Sequence, residues 1–359
     1  MFLRNQTRPI KINNIQVGGG APVSIQSMTN TVTADVAATL AQIRELAALG
    51  CDIIRVAVPD EAAVQALPQI IAGSPIPVIA DIHFDYRLAL AAIRAGIHGI
   101  RINPGNIGDS ERVRMVAEHA GNADIPIRVG ANSGSLPDKF RPLPLASALV
   151  KSALEQCRML EKFGFHNIKV SLKASEVTVT VAAYEEFARH CDYPLHIGVT
   201  ESGTPRNGIV KSAVGIGALL LRGLGDTIRV SLTAHPREEI APALQILNAA
   251  GLRSAEPEII SCPTCGRTAI NLIELAERVE QLIAEIKSAG KRVKLKKIAV
   301  MGCVVNGPGE ARDADLGIAG GKEKVVLFER GKIIGTFTEA DGFEKFRQLI
   351  LHSCEPEND

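Results

Sequence analysis

The sequence predicts an α/β protein whose larger part is a (βα)8 TIM barrel and whose last hundred or so residues form a separate α+β unit. Three observations carry that prediction. Short β-branched runs recur eight times at intervals of roughly 20 to 40 residues. Stretches of helical periodicity lie between them, and the alternation stops after Leu247.

The eight strands begin near Val23, Ile53, Val78, Gly99, Ile127, Asn167, Leu195 and Thr227. The clearest intervening helices run from Val36 to Leu49 and from Leu145 to Phe163. Gly50, Gly96 and Gly164 stand just before the next strand, where a helix-stop glycine belongs. Eight units with none left over favour a closed barrel over residues 1–250. A doubly wound open sheet is the alternative, and the lack of a GxGxxG after the first strand gives no support to its dinucleotide-binding form. Gly251 to Pro257 reads as a linker. Beyond it come a strand (EIIS), a cysteine loop, an amphipathic helix from about Ala269 to Ser288, and a basic link. A strand (KKIAVMG), a Gly/Pro loop, two strands (KVVLFER and KIIGTFT) and a helix from about Asp341 to Leu351 complete a second domain, residues 251–359.

Composition narrows the function classes. The 359 residues carry 40 basic and 39 acidic side chains, a net charge of +1, and 46% are hydrophobic, which supports a sizeable core and excludes disorder. Such a balance gives no polycationic nucleic-acid coat. Aromatic residues make up 4%, with no Trp, which disfavours ligands held by stacking. No apolar run approaches the ~18 residues a membrane span needs, and MFLRNQTRPIKI does not resemble a signal peptide. Neither a membrane nor a nucleic-acid partner is expected. Seven cysteines, an odd number, read as reduced thiols of a cytoplasmic protein.

Strand parity then places charge inside the barrel, where alternate residues face the interior. In IIRVA, Ile54 and Val56 face the helices, so Arg55 points inward. The same parity turns in Arg101, Arg128, Lys169 and Arg229, and with them Asn103, Asn132, Ser171, Lys173 and Ser231. Asp81, His83 and His196 follow from VIADIHF and LHIGV. Six cations therefore face two candidate acids, Asp81 and Glu201. Burying unpaired charge costs several kcal/mol per ion, so the interior calls for a small phosphorylated ligand, for which the guanidinium fork is suited. An internal ion-pair network is the competing account. Glu201, after the seventh strand, reads as a general acid or base, or equally as an ion-pair partner of a neighbouring cation. His83 reads as a phosphate ligand or a hydrogen-bonded filler.

Three cysteines sit in loops beside glycine or proline: Cys262 and Cys265 in SCPTCGR, and Cys303 in MGCVVNGPGE. Cys51, Cys157, Cys191 and Cys354 stand in helical or terminal contexts and read as inert, Cys354 as exposed in a charged tail. The CxxC pair by itself is compatible with half a zinc site, a redox dithiol or part of an iron–sulfur site. A zinc ribbon wants a second CxxC, which is absent. Three thiolates plus one different ligand suit a [4Fe–4S] cluster with one distinctive iron, and Glu310 closes the NGPGE loop within seven residues of Cys303. Carboxylate is a harder, weaker ligand for iron than thiolate.

SCPTCGR, MGCVVNGPGEARDADLGIAGG, and the QSMTNT, RINPGN and KVSLKAS strands closely resemble the bacterial 4-hydroxy-3-methylbut-2-en-1-yl diphosphate synthase family over essentially the whole chain. The resemblance implies a barrel related to dihydropteroate synthase and a C-terminal domain like those of nitrite and sulfite reductases, holding a [4Fe–4S] cluster. It implies reductive ring opening and dehydration of 2-C-methyl-D-erythritol 2,4-cyclodiphosphate, with a reduced flavodoxin or ferredoxin as electron donor. Cys262, Cys265 and Cys303 would be cluster ligands and Glu310 the displaceable fourth. Arg55, Arg101, Asn103, Arg128, Asn132, Lys173, Arg229 and Ser231 would hold the diphosphate, with Glu201 as acid/base group, and His83 joins the substrate-binding set on its strand position alone. The family's assembly implies a homodimer in which one chain's cluster domain caps the partner's barrel. A structural zinc site on a pterin-handling barrel, and a non-enzymatic electron carrier or nucleic-acid-binding module, are the rival readings.

Overall fold

A computed structural model describes the chain apart from residues 1–3, 5, 108, 254–256, 304–310, 322 and 357–359. It divides into two compact units, Met1–Arg253 and Ser254–Asp359.

The first unit opens with an antiparallel hairpin, β1 (Ile10–Ile12) and β2 (Ile15–Val17), which the sequence reading did not contain. Its Ile10, Ile12 and Val17 pack on Ile53 and Ile79, so the hairpin plugs the barrel floor with apolar side chains. The eight barrel strands follow: β3 (Ser24–Met28), β4 (Ile53–Ala57), β5 (Val78–Asp81), β6 (Ile100–Arg101), β7 (Ile127–Asn132), β8 (Ile168–Lys173), β9 (His196–Ile197) and β10 (Thr227–Ile228). They pair in parallel in the order β8-β7-β6-β5-β4-β3-β10-β9. A Val170–Leu195 bridge, with Val170 N–H donating to Pro194 O at 2.9 Å, closes the ring between β8 and β9.

Local chemistry explains the helix starts. Asp35, Asp60, Asp85 and Asp109 each accept a backbone N–H of the first turn of α1 (Val36–Ala48), α2 (Glu61–Gly73), α3 (Tyr86–Arg94) and α5 (Ser110–Asn122), a cap typically worth about 1 kcal/mol. The short α4 (Pro104–Ile107) lies between the last two. Gly50 and Gly96 take left-handed φ values of 104° and 86° right after α1 and α3, a conformation that favours glycine. The ring is completed by α6 (Leu145–Glu161), α7 (Val177–Phe187), α8 (Pro205–Leu220) and α9 (Ile240–Ala249), whose inner faces join the outward strand residues in one continuous core.

In the second unit, β11 (Glu258–Ser261), β13 (Lys297–Met301) and β14 (Leu316–Gly321) run parallel, and β15 (Lys324–Glu329) and β16 (Lys332–Phe337) continue the sheet antiparallel. The amphipathic helix α10 (Leu272–Ser288) buries Leu272, Leu275, Val279, Leu282, Ile283 and Ile286. These side chains share a core with α11 (Glu339–His352) and the sheet. The basic link expected between helix and sheet is partly a strand: β12 (Lys291–Val293) pairs with β17 (Cys354–Pro356). Cys354, expected to be exposed, is therefore half-buried, its thiol donating to Ile350 O. The Gly-rich β14 was also missed, because LGIAGG has too few β-branched residues to read as a strand.

Candidate active site and cysteine centre

A cavity of about 450 Å³ opens at the carboxyl ends of the barrel strands. Its wall includes Arg55, Asp81, His83, Arg101, Asn132, Lys173, Glu201, Arg229 and Ser231, all singled out by parity or strand-end position. Four of these side chains are cations, converging because β4, β6 and β8 carry Arg55, Arg101 and Lys173, and Arg229 directly follows β10, at the same end of the barrel. Thr200 and the Ser133–Ser135 turn after β7 also line it and were not anticipated as site residues. Their small polar character after a strand end was the available signal. Gly198 keeps the wall open. A Cβ there would sit 2.5 Å from Arg229 O and 3.6 Å from Lys173 Nζ, so a side chain would collide with β10 and crowd the ammonium.

Asp81 organises one side of the cavity. It lies 3.4 Å from Arg55 Nε and 3.2 Å from Arg101 Nη1, and Arg101 Nη1 also approaches the His83 ring at 3.1 Å. Burial raises the Asp81 pKa, but Arg55, His83, Arg101 and Arg128 together outweigh it and hold the carboxyl well below the usual range. Arg55 is pulled down to about 10 by burial and by Arg229 and Arg101, with Asp81 opposing. Of the two acids expected inside, Asp81 is buried and Glu201 is exposed, and Asp81 is joined by a buried acid that was not expected, Glu239. It stands in the 3-10 turn Pro236–Glu239 after β10 and pairs with Arg229 at 3.2 Å. HPREE offers no periodicity to show that one of its glutamates faces inward, so pattern reasoning passed it over.

The remaining charge is unbalanced. Arg128 is 5% exposed, and its Nε and Nη1 have no hydrogen-bond partner. Lys173 donates no hydrogen bond among the described residues, and Lys169 has only the side-chain oxygen of Gln26, at 3.3 Å. Burial, then the neighbouring cations, pulls Arg128, Lys169 and Lys173 well below their ordinary pKa values. The same causes keep His196 neutral-leaning, with Nδ1 2.7 Å from Thr227 Oγ1 and Nε2 unpartnered. Arg128 does not line the cavity, and is set four residues before Asn132 on its strand. Asn103 is turned toward its own chain, accepting Gly105 N–H at 3.0 Å. Glu201 is exposed at the cavity wall with a left-handed φ of 51°. For a non-glycine residue that costs roughly 1–3 kcal/mol, a feature that clusters at functional sites.

In the second unit, Cys262 follows β11 and Cys303 follows β13, and these adjacent parallel strands bring both to one end of the sheet. Gly302 N–H donates to Cys262 Sγ at 3.2 Å. Cys265, exposed in the same loop, is shifted below the ordinary thiol range by a backbone hydrogen bond from Arg267, against a small opposing effect of burial. Among the described residues, no three His, Cys, Asp or Glu side chains close into a metal-holding group. Glu310, expected as both a ligand and a catalytic group, lies outside the described residues. Cys262, Cys265 and Cys303 are nonetheless free thiols, donors of the kind an iron–sulfur centre takes. Cys51 and Cys157 are buried in the barrel with their thiol pKa values pushed up by desolvation, as inert cysteines should be.

Fold and site together define a TIM-barrel protein with a cation-lined anion cavity and an appended thiol-bearing unit. The comparisons with known proteins narrow the class. Residues 7–244 match the GcpE TIM-barrel domain and residues 258–352 the GcpE protein C-terminal domain, and the chain belongs to the GcpE family. It is 54% identical over 338 residues to the 4-hydroxy-3-methylbut-2-en-1-yl diphosphate synthase (flavodoxin) of Lawsonia intracellularis, covering 93% of this chain and 92% of that one. It is 53% identical over 342 residues to the protein of the same name from Geobacter sulfurreducens, covering 94% and 95%. The Clostridium perfringens protein of that name is 51% identical over 352 residues, covering 97% and 99%. The barrel alone superposes on 3-dehydroquinate dehydratase from Geobacillus kaustophilus HTA426 with a TM-score of 0.51 and 19% identity, over 68% of this chain and 98% of that one.

Proposed function

We propose that this protein is an oxidoreductase that opens the ring of 2-C-methyl-D-erythritol 2,4-cyclodiphosphate and removes water to give (E)-4-hydroxy-3-methylbut-2-enyl diphosphate. The observation that carries the reading is the excess of cations in and below the cavity, which the acids present leave uncompensated. A cyclic diphosphate supplies the missing negative charge. The relatives' shared name agrees with it.

Arg55, Arg101, Lys173 and Arg229 bind the diphosphate oxygens, with Asn132 and Ser231 completing the polar wall. Arg128 contributes from beneath, and its two unpartnered nitrogens aim the field of the site toward the ligand. Asn103 belongs to the same set in the family resemblance, although its carboxamide oxygen is engaged by Gly105 N–H. His83 steadies Arg101 and is placed to share a phosphate oxygen. Glu201, exposed at the cavity wall, is placed to hand a proton to the oxygen that leaves as water. Protons taken up with the two electrons balance the reaction.

Cys262, Cys265 and Cys303, with Glu310 as the exchangeable fourth ligand, would hold a [4Fe–4S] cluster, which when bound supplies those electrons one at a time. The donor would be a reduced flavodoxin, named in the relatives, with ferredoxin as the other one-electron carrier of that kind. Among the described residues no helix is long and apolar enough to cross a membrane, and the reading goes with a cytoplasmic homodimer.

Anaerobic purification with iron, sulfide and zinc analysis tests the reading, followed by an assay with the cyclodiphosphate and dithionite. About four irons and four sulfides per chain are expected, lost in Cys303→Ser and retained in Cys51→Ser. One zinc per chain and a colourless protein after reconstitution would sink it.

A further inference from the structure

Glu239 makes contacts that a charge-balancing filler would not need. Its two oxygens reach three residues on two segments, β3 and the stretch that follows β10. Oε2 accepts from Ser27 Oγ on β3 at 2.9 Å and from Arg229 Nε at 3.2 Å. Oε1 accepts from Arg229 Nη2 and from Leu232 N–H, both at 3.2 Å. The Arg229 fork is thus held bidentately along its Nε–Nη2 edge, which leaves Nη1 with no oxygen partner among the described residues and only a 3.8 Å approach to Met28 Sδ. The Glu239 side chain is 4% exposed and is absent from the cavity wall, whereas Arg229 lines it. A planar guanidinium fixed along one edge presents the rest of its fork in one orientation. The bond to Leu232 N–H ties the same carboxylate to the backbone next to Ser231, another wall residue.

We propose that Glu239 is a positioning residue: it sets the orientation of Arg229, and the path of the chain at Ser231, for capture of a diphosphate. This rests on the reading of the cavity as a diphosphate site. Glu239 does not touch the ligand and moves no proton. Removing its charge has two opposed consequences. The local potential becomes more positive, which alone would tighten anion binding. The Arg229 fork loses its anchor, which weakens binding, and a single charged hydrogen bond is worth enough for the second effect to win.

The test uses Glu239→Gln, Arg229→Ala and the double variant in the cluster-loaded protein. The probe is inorganic pyrophosphate, measured by calorimetry, with turnover of the cyclodiphosphate measured in parallel. Glu239→Gln should weaken pyrophosphate about tenfold and raise KM by a similar factor, with kcat changed less than about threefold. In the Arg229→Ala background the same substitution should change pyrophosphate affinity by less than about threefold, because its main target is gone and only the tie to the chain at Ser231 remains. Ser27→Ala, which removes a neutral partner of Glu239, should weaken pyrophosphate by a few-fold and serves if Glu239→Gln does not fold. Unchanged or tighter pyrophosphate binding in the Glu239 and Ser27 variants, or effects of Glu239 and Arg229 that multiply independently, would overturn the proposal. Wild-type protein that binds pyrophosphate but never turns over the cyclodiphosphate would instead overturn the functional reading, with the role of Glu239 still decided by the pyrophosphate data.

Discussion

Asp81 Oδ1 and Arg101 Nη1 lie 3.2 Å apart inside the barrel, with both side chains at least nine-tenths buried. The same carboxylate reaches Arg55 at 3.4 Å, so one anion restrains two cavity cations from adjacent strands. Asp81→Asn would leave both guanidinium groups without their charge partner. The expected loss is about 3–5 kcal/mol of stability at neutral pH, measured by urea unfolding. Because the folded pKa is depressed, the contribution is complete above the unfolded value of about 3.9 and disappears as pH falls below it. A variant no less stable than wild type at pH 7, or a difference that persists unchanged to pH 2, would contradict this assignment.

Arg128 presents the opposite balance, a buried cation whose Nε and Nη1 have no partner. Arg128→Met removes that cost and should raise the stability of the ligand-free protein by about 1–4 kcal/mol. It should also raise KM for the cyclodiphosphate at least tenfold while leaving the cluster's visible absorption intact. Bleaching of the absorption would show that the barrel and cysteine roles are not separable as described.

Lys173 is pulled below the ordinary lysine range by burial first and then by Arg128, Arg229, Arg55 and Arg101. A bound diphosphate offsets that repulsion and raises the pKa, so binding should draw a proton onto the neutral amine and give the ammonium. Affinity should therefore fall as pH rises from the depressed value toward the ordinary one of about 10.4. Calorimetry of pyrophosphate binding in two buffers of different ionisation enthalpy reads the proton directly. Proton uptake should be smaller in Lys173→Met, and equal uptake in the two proteins would exclude Lys173 as its source.

The homodimer expected for the family makes a sharp prediction about pairs of inactive variants. On the proposed reading Cys303→Ser would lack a cluster ligand and Arg229→Ala a diphosphate clamp, and each protein should be nearly inactive by itself. If each cysteine unit serves the partner's barrel, mixed dimers regain one complete site. Co-expressing the two should then restore a substantial part of wild-type activity. If each chain serves itself, every site carries a defect and the mixture stays inactive.

Strand parity was enough to find most of the cavity, because a barrel strand must alternate and its helix-facing residues must be apolar. Once Ile54 and Val56 are assigned to the core, Arg55 has nowhere to point but inward. The stop glycines Gly50, Gly96 and Gly164 likewise mark helix ends through chemistry confined to a few neighbouring residues. Elements lacking such local chemistry escaped. The floor hairpin is stabilised by Ile53 and Ile79, some 40 to 70 residues away in sequence. Strand β12 exists because the distant β17 pairs with it.

The order of residues alone establishes the repeat, the inward cations and the spacing of the thiols, since each depends on a period or a short motif. Partnership is a matter of space. Which carboxylate meets which guanidinium depends on how a turn folds back, so only the fold could pair Glu239 with Arg229, ten residues before it, and with Ser27, 212 residues before it. The fold likewise left Arg128 without an acceptor. The physical reason is that side-chain direction follows from backbone alternation, whereas hydrogen bonds and ion pairs are decided at distances of about 3 Å.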